Sequence, residues 1–396
     1  MLFAKLNDLS IGGKGSYGIA ASAVERKADL PTYLRITDIF DDGTLNLSEL
    51  KSVDAPNSDK YILKPNDIVF ARTGGSTGRN YFYDGSDGVF VYAGFLIKFS
   101  IDPEKVNPKY VKYYCRSKQY NDWVQSFNTG STRGNINAQT FGNMEIPLPD
   151  RKQQDYLVSI LEPIDEKIKI NKQVNDNLQQ QVQTIYHERF ETVSPNDLPS
   201  NWRIVTLGEV ATISNKSFNP LKEPEILLEH YSIPAFDEAK FPVFELSTSI
   251  KSNKFIIDAS CFMISKLNPT TKRVWKPYCL TGNAVCSTEF IVYRAKDKSI
   301  TNFLYSVIDS SSFSDFMCSH VTGSTGSRQR TTPSDTLSYE LILPSEDELA
   351  EFQSLVSPMY AQIRINAIEN DKLKRLRDSL LPKLMSGEID VSAVQL

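Results

Sequence analysis

Apolar residues recur at steps of three and four along two long stretches of the chain, residues 152–190 and 346–385. This spacing places them on one face of an α-helix, which can bury that face against a partner. At a rise of about 1.5 Å per residue, each predicted helix could be about 50 Å long. The apolar positions are Leu157, Leu161, Ile164, Ile168, Leu178, Val182 and Ile185 in the first stretch and Phe352, Val356, Met359, Ile363, Leu373 and Leu380 in the second.

Asparagines interrupt both apolar stripes at matching places. Asn171 and Asn175 lie in the first predicted helix, and Asn366 and Asn370 lie 195 residues further on in the second. A buried asparagine needs a facing hydrogen-bond partner, so it fixes the register of a helix pair at a cost in stability. We therefore predict that the two helices pair antiparallel, with these four residues near the crossing. Exposure of the asparagines to solvent is the alternative.

Shorter apolar runs in the rest of the chain predict strands. DIVFAR, FLIKFSI, FEL and EFIVYR are rich in β-branched and aromatic residues and are bounded by Gly, Pro or Asn. The predicted fold is α+β, with two globular domains separated by two long antiparallel coiled-coil helices. We place the first domain at residues 1–150, the first helix at 151–192, the second domain at 193–345, and the second helix with a C-terminal tail at 346–396.

The two globular regions are pseudo-symmetric copies of one another. KPNDIVFAR (64–72) corresponds to DASCFMISK (258–266), and VYAGFLIKF (91–99) corresponds to VCSTEFIVY (285–293), both at a spacing of 194 residues. MEIPLP (144–149) pairs with YELILP (339–344) at a spacing of 195. Because the order is kept and the spacing hardly drifts, the chain is an internal repeat.

Both copies carry polar, basic loops. TGSTRGN (129–135) and TGSTGSR (322–328) are the most similar pair, and TGGSTGRN (73–80) and SKLNPTTKRVWK (265–276) add further cations. Arginine can pair with guanine and asparagine or glutamine with adenine, while hydroxyl and amide groups hold phosphates. We predict that these loops contact DNA; ordinary solvated loops of the same composition are the alternative. The candidate contacts are Arg72, Thr73, Ser76, Arg79, Asn80, Ser131, Arg133 and Asn135 in the first copy and Lys266, Asn268, Lys272, Arg273, Ser324, Arg328, Gln329 and Arg330 in the second.

Composition narrows the classes of function. The net charge of −4 does not favour a polyanionic partner, but residues 251–300 hold nine Lys or Arg and only three Asp or Glu, which predicts a local basic face. The five cysteines and three histidines lack the spacing of a metal site. Cys318 and His320 are close in sequence but have no third group to orient them as a catalytic pair. We expect no metal, no catalytic residue and, since no run of about 18 apolar residues occurs, a cytoplasmic protein.

Several short motifs together resemble a known family. They are LPSNWRIVTLGEV (198–210), SKLNP (265–269), NAVCSTEFIVY (283–293), VTGSTGSRQR (321–330), LILPSEDELAEF (341–352) and LRDSLLPKLMSGEI (376–389). Their order closely resembles that of the specificity subunits of type I restriction–modification systems, the HsdS family, over nearly the whole chain. The first half departs from the pattern because it has no counterpart of LPSNW.

The resemblance implies that each globular half is a target recognition domain that reads one part of a split, asymmetric double-stranded DNA site. It also implies that the long helices dock two methyltransferase subunits, which bind S-adenosylmethionine and methylate adenine. Restriction subunits, which act as motor and nuclease, would join them for cleavage. This chain itself would bind no cofactor and catalyse nothing.

Three other interpretations are open at this stage. The chain could be the recognition subunit of a related restriction system with a fused nuclease–methyltransferase partner. It could be a hydrolase or transferase with a coiled-coil arm, in which case Cys318 and His320 would belong to a convergent cluster. It could also be a scaffold whose loops bind protein and not DNA.

Overall fold

A computed structural model describes residues 2–127, 134–322 and 329–389, the side chain of Ser48 excepted. The chain divides into two compact units: the first comprises residues 1–166 and 373–396, and the second comprises residues 167–372. Each unit therefore combines one globular region with a segment of each of two long helices.

The two long helices begin at Arg151 and Glu346, which is where the second and fourth predicted segments begin. Shorter helices lie in the globular regions, and several start with a side-chain cap, as at Asn107, which accepts a hydrogen bond from the backbone of Lys109. The helices are α1 (Pro108–Tyr114), α2 (Lys118–Gln125), α3 (Ala138–Gly142), α4 (Arg151–Tyr186), α5 (Leu207–Val210), α6 (Ile233–Ala239), α7 (Thr301–Ile308), α8 (Ser311–Ser319) and α9 (Glu346–Ser386).

Three sheets make up the β-structure described in the first unit. The strands are β1 (Leu2–Lys5), β2 (Ser16–Tyr17), β3 (Ala23–Val24), β4 (Thr32–Leu34), β5 (Lys51–Val53), β6 (Asp67–Ala71), β7 (Asn80–Tyr83), β8 (Phe90–Tyr92), β9 (Leu96–Ser100) and β10 (Glu145–Leu148). They pair in the orders β1-β10, β2-β9-β6-β7 and β3-β5-β4-β8. All pairs are antiparallel except β4 with β8.

The second unit repeats this plan. Its strands are β11 (Arg203–Thr206), β12 (Ala211–Ile213), β13 (Ser217–Phe218), β14 (Leu227–Tyr231), β15 (Val243–Leu246), β16 (Lys254–Ile256), β17 (Cys261–Ser265), β18 (Val274–Trp275), β19 (Ala284–Ser287), β20 (Phe290–Ala295), β21 (Val321–Thr322), β22 (Arg330–Thr331) and β23 (Glu340–Leu343). They pair in the orders β11-β23, β12-β20-β17-β18, β13-β16-β19-β14-β15 and β21-β22. The parallel pair is β14 with β19.

The four apolar runs that predict strands are strands in the structure, namely β6, β9, β15 and β20, so the α+β prediction is confirmed. Strand β6 and its repeat β17 are buried at every residue, which explains why all of their residues except Asp67 and Ser265 are apolar. The two copies differ at one sheet: β5 joins β4 in the first unit, whereas β16 joins β19 in the second, and β15 is added at the edge.

Within each unit the segments of α4 and α9 run antiparallel, as predicted. In the second unit the Tyr186 and Phe352 rings lie 6.5 Å apart, while Asn171 contacts Asn370 further along both helices. In the first unit Leu161 of α4 belongs to the same apolar core as Leu381 of α9. The sheets of each globular region pack onto these helix segments, so in each unit the globular region and the helices share one apolar core.

Neither a membrane-spanning helix nor a metal site occurs in the described part of the chain. None of its helices is both long enough and apolar enough to span a bilayer. Among the described residues, no group of three or more histidine, cysteine, aspartate or glutamate side chains lies close enough together to bind a metal ion.

Candidate nucleic-acid interface

In the first unit, three chain segments meet just beyond the end of β6. The backbone N–H of Arg72 donates to the carbonyl of Phe95 over 3.1 Å, and the carbonyl of Arg72 accepts from Ile136 over 2.9 Å. Thr73 pairs with Asn135 as an isolated β-bridge. The backbone thus holds Arg72, Phe95 and Asn135 side by side.

The second unit has the same arrangement at the positions about 194 residues later. The N–H of Lys266 donates to the carbonyl of Glu289 over 2.9 Å, and the carbonyl of Lys266 accepts from Thr331 over 3.1 Å. Leu267 pairs with Arg330 as an isolated β-bridge. The equivalence of position 72 with position 266 therefore holds at the level of backbone hydrogen bonds.

The turn that follows is also shared. Gly74 has φ of 76°, and Asn268, at the equivalent place, has φ of 48°. This left-handed conformation is open to glycine and tolerated by asparagine, so both residues suit the same turn. The N–H of Asn268 donates to the carbonyl of Gln329 over 2.9 Å, which links two predicted contact residues.

Side chains differ at this common place. In the first unit the Arg72 guanidinium lies 5.2 Å from the Tyr17 ring centroid and 5.7 Å from that of Phe95. In the second unit the guanidinium of Arg330 donates to both oxygens of Glu289, at 2.9 and 3.0 Å. These hydrogen bonds and the negative charge of Glu289 raise the pKa of Arg330. One backbone frame therefore carries two different sets of functional groups.

Each unit has one further predicted arginine that is paired with a carboxylate. Arg79 donates to Asp41 over 2.6 and 3.3 Å, and Arg273 donates to Asp237 over 2.6 and 2.9 Å. Arg79 and Arg273 are again 194 residues apart. Each pair fastens the loop to the globular region, and any DNA contact from either arginine would compete with its aspartate.

Several further candidates contact the protein itself. Asn80 is buried and donates to the carbonyl of Cys115 over 3.0 Å. Lys272 lies 3.0 Å from Asp309, which also accepts from Gln183 of α4. Thr73, Ser76, Lys266, Asn268 and Gln329 are partly exposed, and Asn135 is exposed. Ser131, Arg133, Ser324 and Arg328 lie outside the described residues.

The basic stretch around Trp275 is less accessible than its composition indicates. Trp275 is buried, and Lys276 contacts the side-chain oxygen of Asn302 and the ring of Tyr360, with its Nζ 4.9 Å from the ring centroid. Burial lowers the pKa of Lys276 to about 8. This lysine serves the interior of the second unit and does not belong to an exposed basic face.

The helix asparagines form reciprocal pairs. Asn171 donates to Asn370 over 2.9 Å, and Asn366 donates to Asn175 over 2.8 Å. Asn370 in turn donates to the carbonyl of Ile168, and Asn175 to that of Ile363. Each amide thus finds the facing partner that a buried asparagine requires.

Cys318 and His320 do not form a catalytic pair. Cys318 lies in α8, and His320 follows the end of that helix. His320 Nδ1 lies 2.8 Å from the carbonyl of Phe316 and 3.0 Å from the hydroxyl of Ser319. Burial raises the pKa of the Cys318 thiol, which opposes nucleophilic activation.

Three residues of this cluster do not stand out in the sequence as contacts: Tyr17, Phe95 and Glu289. The signal for two of them was present, since Phe95 and Glu289 occupy equivalent places in the aligned segments VYAGFLIKF and VCSTEFIVY. An aromatic residue or an acid in a predicted strand is more often structural than DNA-binding, so the pattern alone does not mark either as a contact. Tyr17 comes from a strand distant in sequence, and only the fold brings it to Arg72.

Comparisons with known proteins agree on one family. Residues 26–180 match the model described as type I restriction modification DNA specificity domain. The chain is 24% identical to the type I restriction enzyme MjaIX specificity subunit of Methanocaldococcus jannaschii, over 74% of this chain and 71% of that protein. It is 21% identical to the HindI specificity subunit of Haemophilus influenzae, over 94% and 98%.

A solved structure has the same fold. The type I restriction–modification S subunit from M. genitalium aligns with a TM-score of 0.55 and 16% identity, covering 97% of this chain and 95% of that one. The family model over residues 26–180, the two relatives and the repeated fold agree on one resemblance: this chain is similar to the specificity subunits of type I restriction–modification systems.

Proposed function

We propose that this chain is the DNA-recognition subunit of a type I restriction–modification complex and that it reads an asymmetric, bipartite DNA site, one part with each unit. The observation that carries the proposal is the common backbone frame around positions 72 and 266, on which the two units place different side chains. A shared frame sets where a loop meets the duplex, and the side chains set which bases it accepts.

The difference between the units favours an asymmetric site. Two identical reading surfaces related by symmetry would recognise two copies of one sequence. Here Arg72 with Phe95 in one unit stands where Lys266 with Glu289 stands in the other. A cation beside aromatic rings and a cation beside a carboxylate present different hydrogen-bonding groups, so the two parts of the site should differ in sequence.

Phosphate contacts would come from the turns next to these positions. At Gly74 and Gly75 an added Cβ would meet no atom of the described residues within 4 Å, so that part of the chain leaves the backbone there open to a close approach. Backbone amides in such turns, together with nearby cations, suit a phosphate oxygen. We assign the predicted polar residues that are exposed or partly exposed, Thr73, Ser76, Asn135, Lys266, Asn268 and Gln329, to this surface.

The catalytic chemistry would come from partners. We propose that two methyltransferase subunits, which hold S-adenosylmethionine, and restriction subunits assemble on this chain in the cytoplasm, where the DNA is. Apolar side chains that are exposed on the long helices support docking: Ile170 is 52% exposed and Val174 37% exposed on α4, and Ile365 is 56% exposed on α9. Exposed apolar residues at this spacing commonly mark a protein interface.

Adenine methylation tests the proposal. The chain is produced together with the methyltransferase subunits of its own host, and methylated adenines are mapped in the host genome. We expect one motif made of two unequal specific parts separated by unspecified bases. Methylation at a palindrome, or no change when this chain is omitted, would contradict the proposal. The subunits that co-purify separate a type I complex from a related system with a fused nuclease–methyltransferase.

DNA binding by the purified complex gives a second measurement. If the complex neutralises several phosphates, its affinity should fall steeply and linearly with the logarithm of salt concentration. A scaffold whose loops bind protein would show no preference for the mapped motif at any salt concentration.

A further inference from the structure

We propose that Arg72 reads a guanine in the part of the DNA site bound by the first unit, and that Tyr17 and Phe95 are positioning residues for its guanidinium. This inference rests on the proposed function and adds to it a base, a reading side chain and two supporting rings.

The backbone and side chain of Arg72 are both held in place. Its N–H and carbonyl are bonded to Phe95 and Ile136, which removes freedom from the main chain. Its guanidinium carbon then lies within 6 Å of two ring centroids, at 5.2 Å from Tyr17 and 5.7 Å from Phe95. At these distances a guanidinium is attracted to the face of an aromatic ring. The side chain is therefore oriented before any ligand arrives.

Both aromatic rings are exposed to solvent, which is unfavourable for apolar surface and is not required by the packing of the unit. Phe95 is 55% exposed and Tyr17 is 44% exposed. The Tyr17 hydroxyl accepts a hydrogen bond from the N–H of Ala138 over 3.1 Å, which fixes the ring from the far side of the cluster. Large apolar surface left open beside a cation is typical of a binding surface, where a ligand covers it.

Arg72 differs from the other arginines of the predicted interface that the structure describes. Arg79, Arg273 and Arg330 each donate to a carboxylate. Among the described residues no side chain or carbonyl accepts a hydrogen bond from the Arg72 guanidinium, and its Nε is buried without an acceptor. With Nε enclosed, a ligand would meet the guanidinium at its two terminal nitrogens.

Two terminal nitrogens in one plane match a pair of acceptors. In the major groove guanine presents O6 and N7 side by side, and this pair is the commonest specific partner of arginine. A phosphate would be served equally well by a mobile lysine, which needs neither ring. Two exposed aromatic rings hold the Arg72 guanidinium in one orientation before binding, and this preorganisation favours a base edge over a phosphate as its ligand.

The second unit lacks this arrangement, so the inference is confined to the first. Lys266 replaces Arg72, and Glu289 replaces Phe95 and already accepts two hydrogen bonds from Arg330. A lysine cannot form the planar fork, and an arginine whose Nε and one terminal nitrogen are engaged presents a different edge. The contact in the second part of the site should therefore follow a different rule.

The test uses the chain assembled with its methyltransferase subunits. After the motif is mapped, DNA fragments that carry each of the four base pairs at each specified position are methylated in competition. In the Arg72→Lys and Arg72→Ala complexes we expect one G·C position, in one part of the motif, to lose about 5- to 150-fold of its discrimination against other bases. Phe95→Ala should reduce the preference at the same position by about 2- to 5-fold, as expected for a lost cation–ring contact.

Matched variants separate this role from general damage. Phe3 is equally exposed in the same unit, at 60%, but lies in β1 outside the cluster, so Phe3→Ala should leave every base preference unchanged. Lys266→Ala, at the equivalent position of the second unit, should alter only the other part of the motif. Thermal unfolding of each chain identifies variants that do not fold, and Arg72→Lys is included because it keeps the charge and most of the packing.

The outcomes are distinct. Relaxation at a single guanine supports the inference. If the Arg72 variants methylate every sequence more weakly to the same degree, Arg72 is a phosphate contact. If both variants keep full discrimination, Arg72 does not read a base. Either result overturns the inference, but the proposed function stands as long as the wild-type complex methylates a bipartite motif. If the wild-type complex methylates no such motif, both fail together.

Discussion

Replacing Asp165 by asparagine tests the ionic cluster that joins the globular part of the first unit to both of its helix segments. Asp165 lies in α4 and accepts from Arg116 over 2.7 Å and from Arg377 of α9 over 3.1 Å. It also lies 3.3 Å from Lys112 of α1 and accepts from the Tyr113 hydroxyl over 3.1 Å. One carboxylate therefore holds three elements of the unit together.

The electrostatics indicate how much this carboxylate contributes. Burial by itself would raise the pKa of Asp165, but Arg116, Lys112 and Arg377 outweigh it and hold the pKa well below its usual range. Burial and the neighbouring Arg116 lower the pKa of Lys112, although Asp165 and Glu162 oppose this shift. The cluster is therefore rich in positive charge and cannot spare its central anion.

Asp165→Asn should cost about 3–5 kcal/mol of unfolding free energy, because it removes the anion that three cations share in a buried network. Lys112 keeps Glu162 and Arg377 keeps Asp378, but Arg116 loses the carboxylate that it donates to. For a folded unit of roughly 150–250 residues this corresponds to a melting temperature lower by about 6–20 °C. The measurement is urea unfolding of the full chain at pH 7, with circular dichroism as the signal. The control is Asp176→Asn in the same helix, whose carboxylate is 75% exposed and 3.8 Å from Lys240; it should cost less than about 1 kcal/mol.

The pH dependence of stability provides an independent test of the contribution of Asp165. The folded pKa of Asp165 lies below its ordinary value of 3.8, so its contribution is complete above about pH 4 and is lost progressively as the pH falls below that value. The wild-type chain should therefore lose stability more steeply in acid than Asp165→Asn does. If the two substitutions cost the same and the acid limbs run parallel, the cluster does not hold the unit together.

Three further substitutions test other parts of the structure. Lys276→Met should stabilise the chain at pH 7. Because the folded pKa of Lys276, about 8, lies below the ordinary 10.5, the unfolding free energy of the wild type should rise by up to about 3 kcal/mol more than that of the variant between pH 8 and 10.5, as measured by urea unfolding. Asn370→Ala removes an acceptor of Asn171 and should cost about 1–3 kcal/mol by the same measurement. Gly18→Ala would place a Cβ 2.3 Å from the carbonyl oxygen of Tyr92 and should lower the melting temperature, at a cost of about 1–3 kcal/mol.

The long helices and the repeat could be predicted because both depend on local pattern. Leu157, Leu161 and Val182 are buried as the 3.6-residue period requires. The half-buried Ile164 and Leu178 belong to the same stripe and lie near its margins. The asparagines stand out in the sequence because two polar positions within the apolar stripes recur at a spacing of 195 residues. In the structure each has an asparagine partner on the facing helix.

The contacts of the loops could not be predicted, since they depend on residues distant in sequence. As a cation beside glycines, Arg79 is predicted to contact DNA, but it donates to Asp41, which is 38 residues earlier. Lys272 is also predicted to contact DNA, but it lies against Asp309, a buried residue at the end of α7. A sequence pattern records that a side chain is charged; which carboxylate it meets depends on the order of strands in the sheet, and no periodicity encodes that order.

The repeat supplies the missing criterion, because it separates what the two units share from what they do not. Arg79 with Asp41 and Arg273 with Asp237 recur at the same place in both units, so their shared task is to shape the loop, whatever sequence the unit reads. Arg72 and Phe95 give way to Lys266 and Glu289 on an unchanged backbone. Selection for different DNA sequences would act at such positions, where a side chain can change and the frame that presents it is retained.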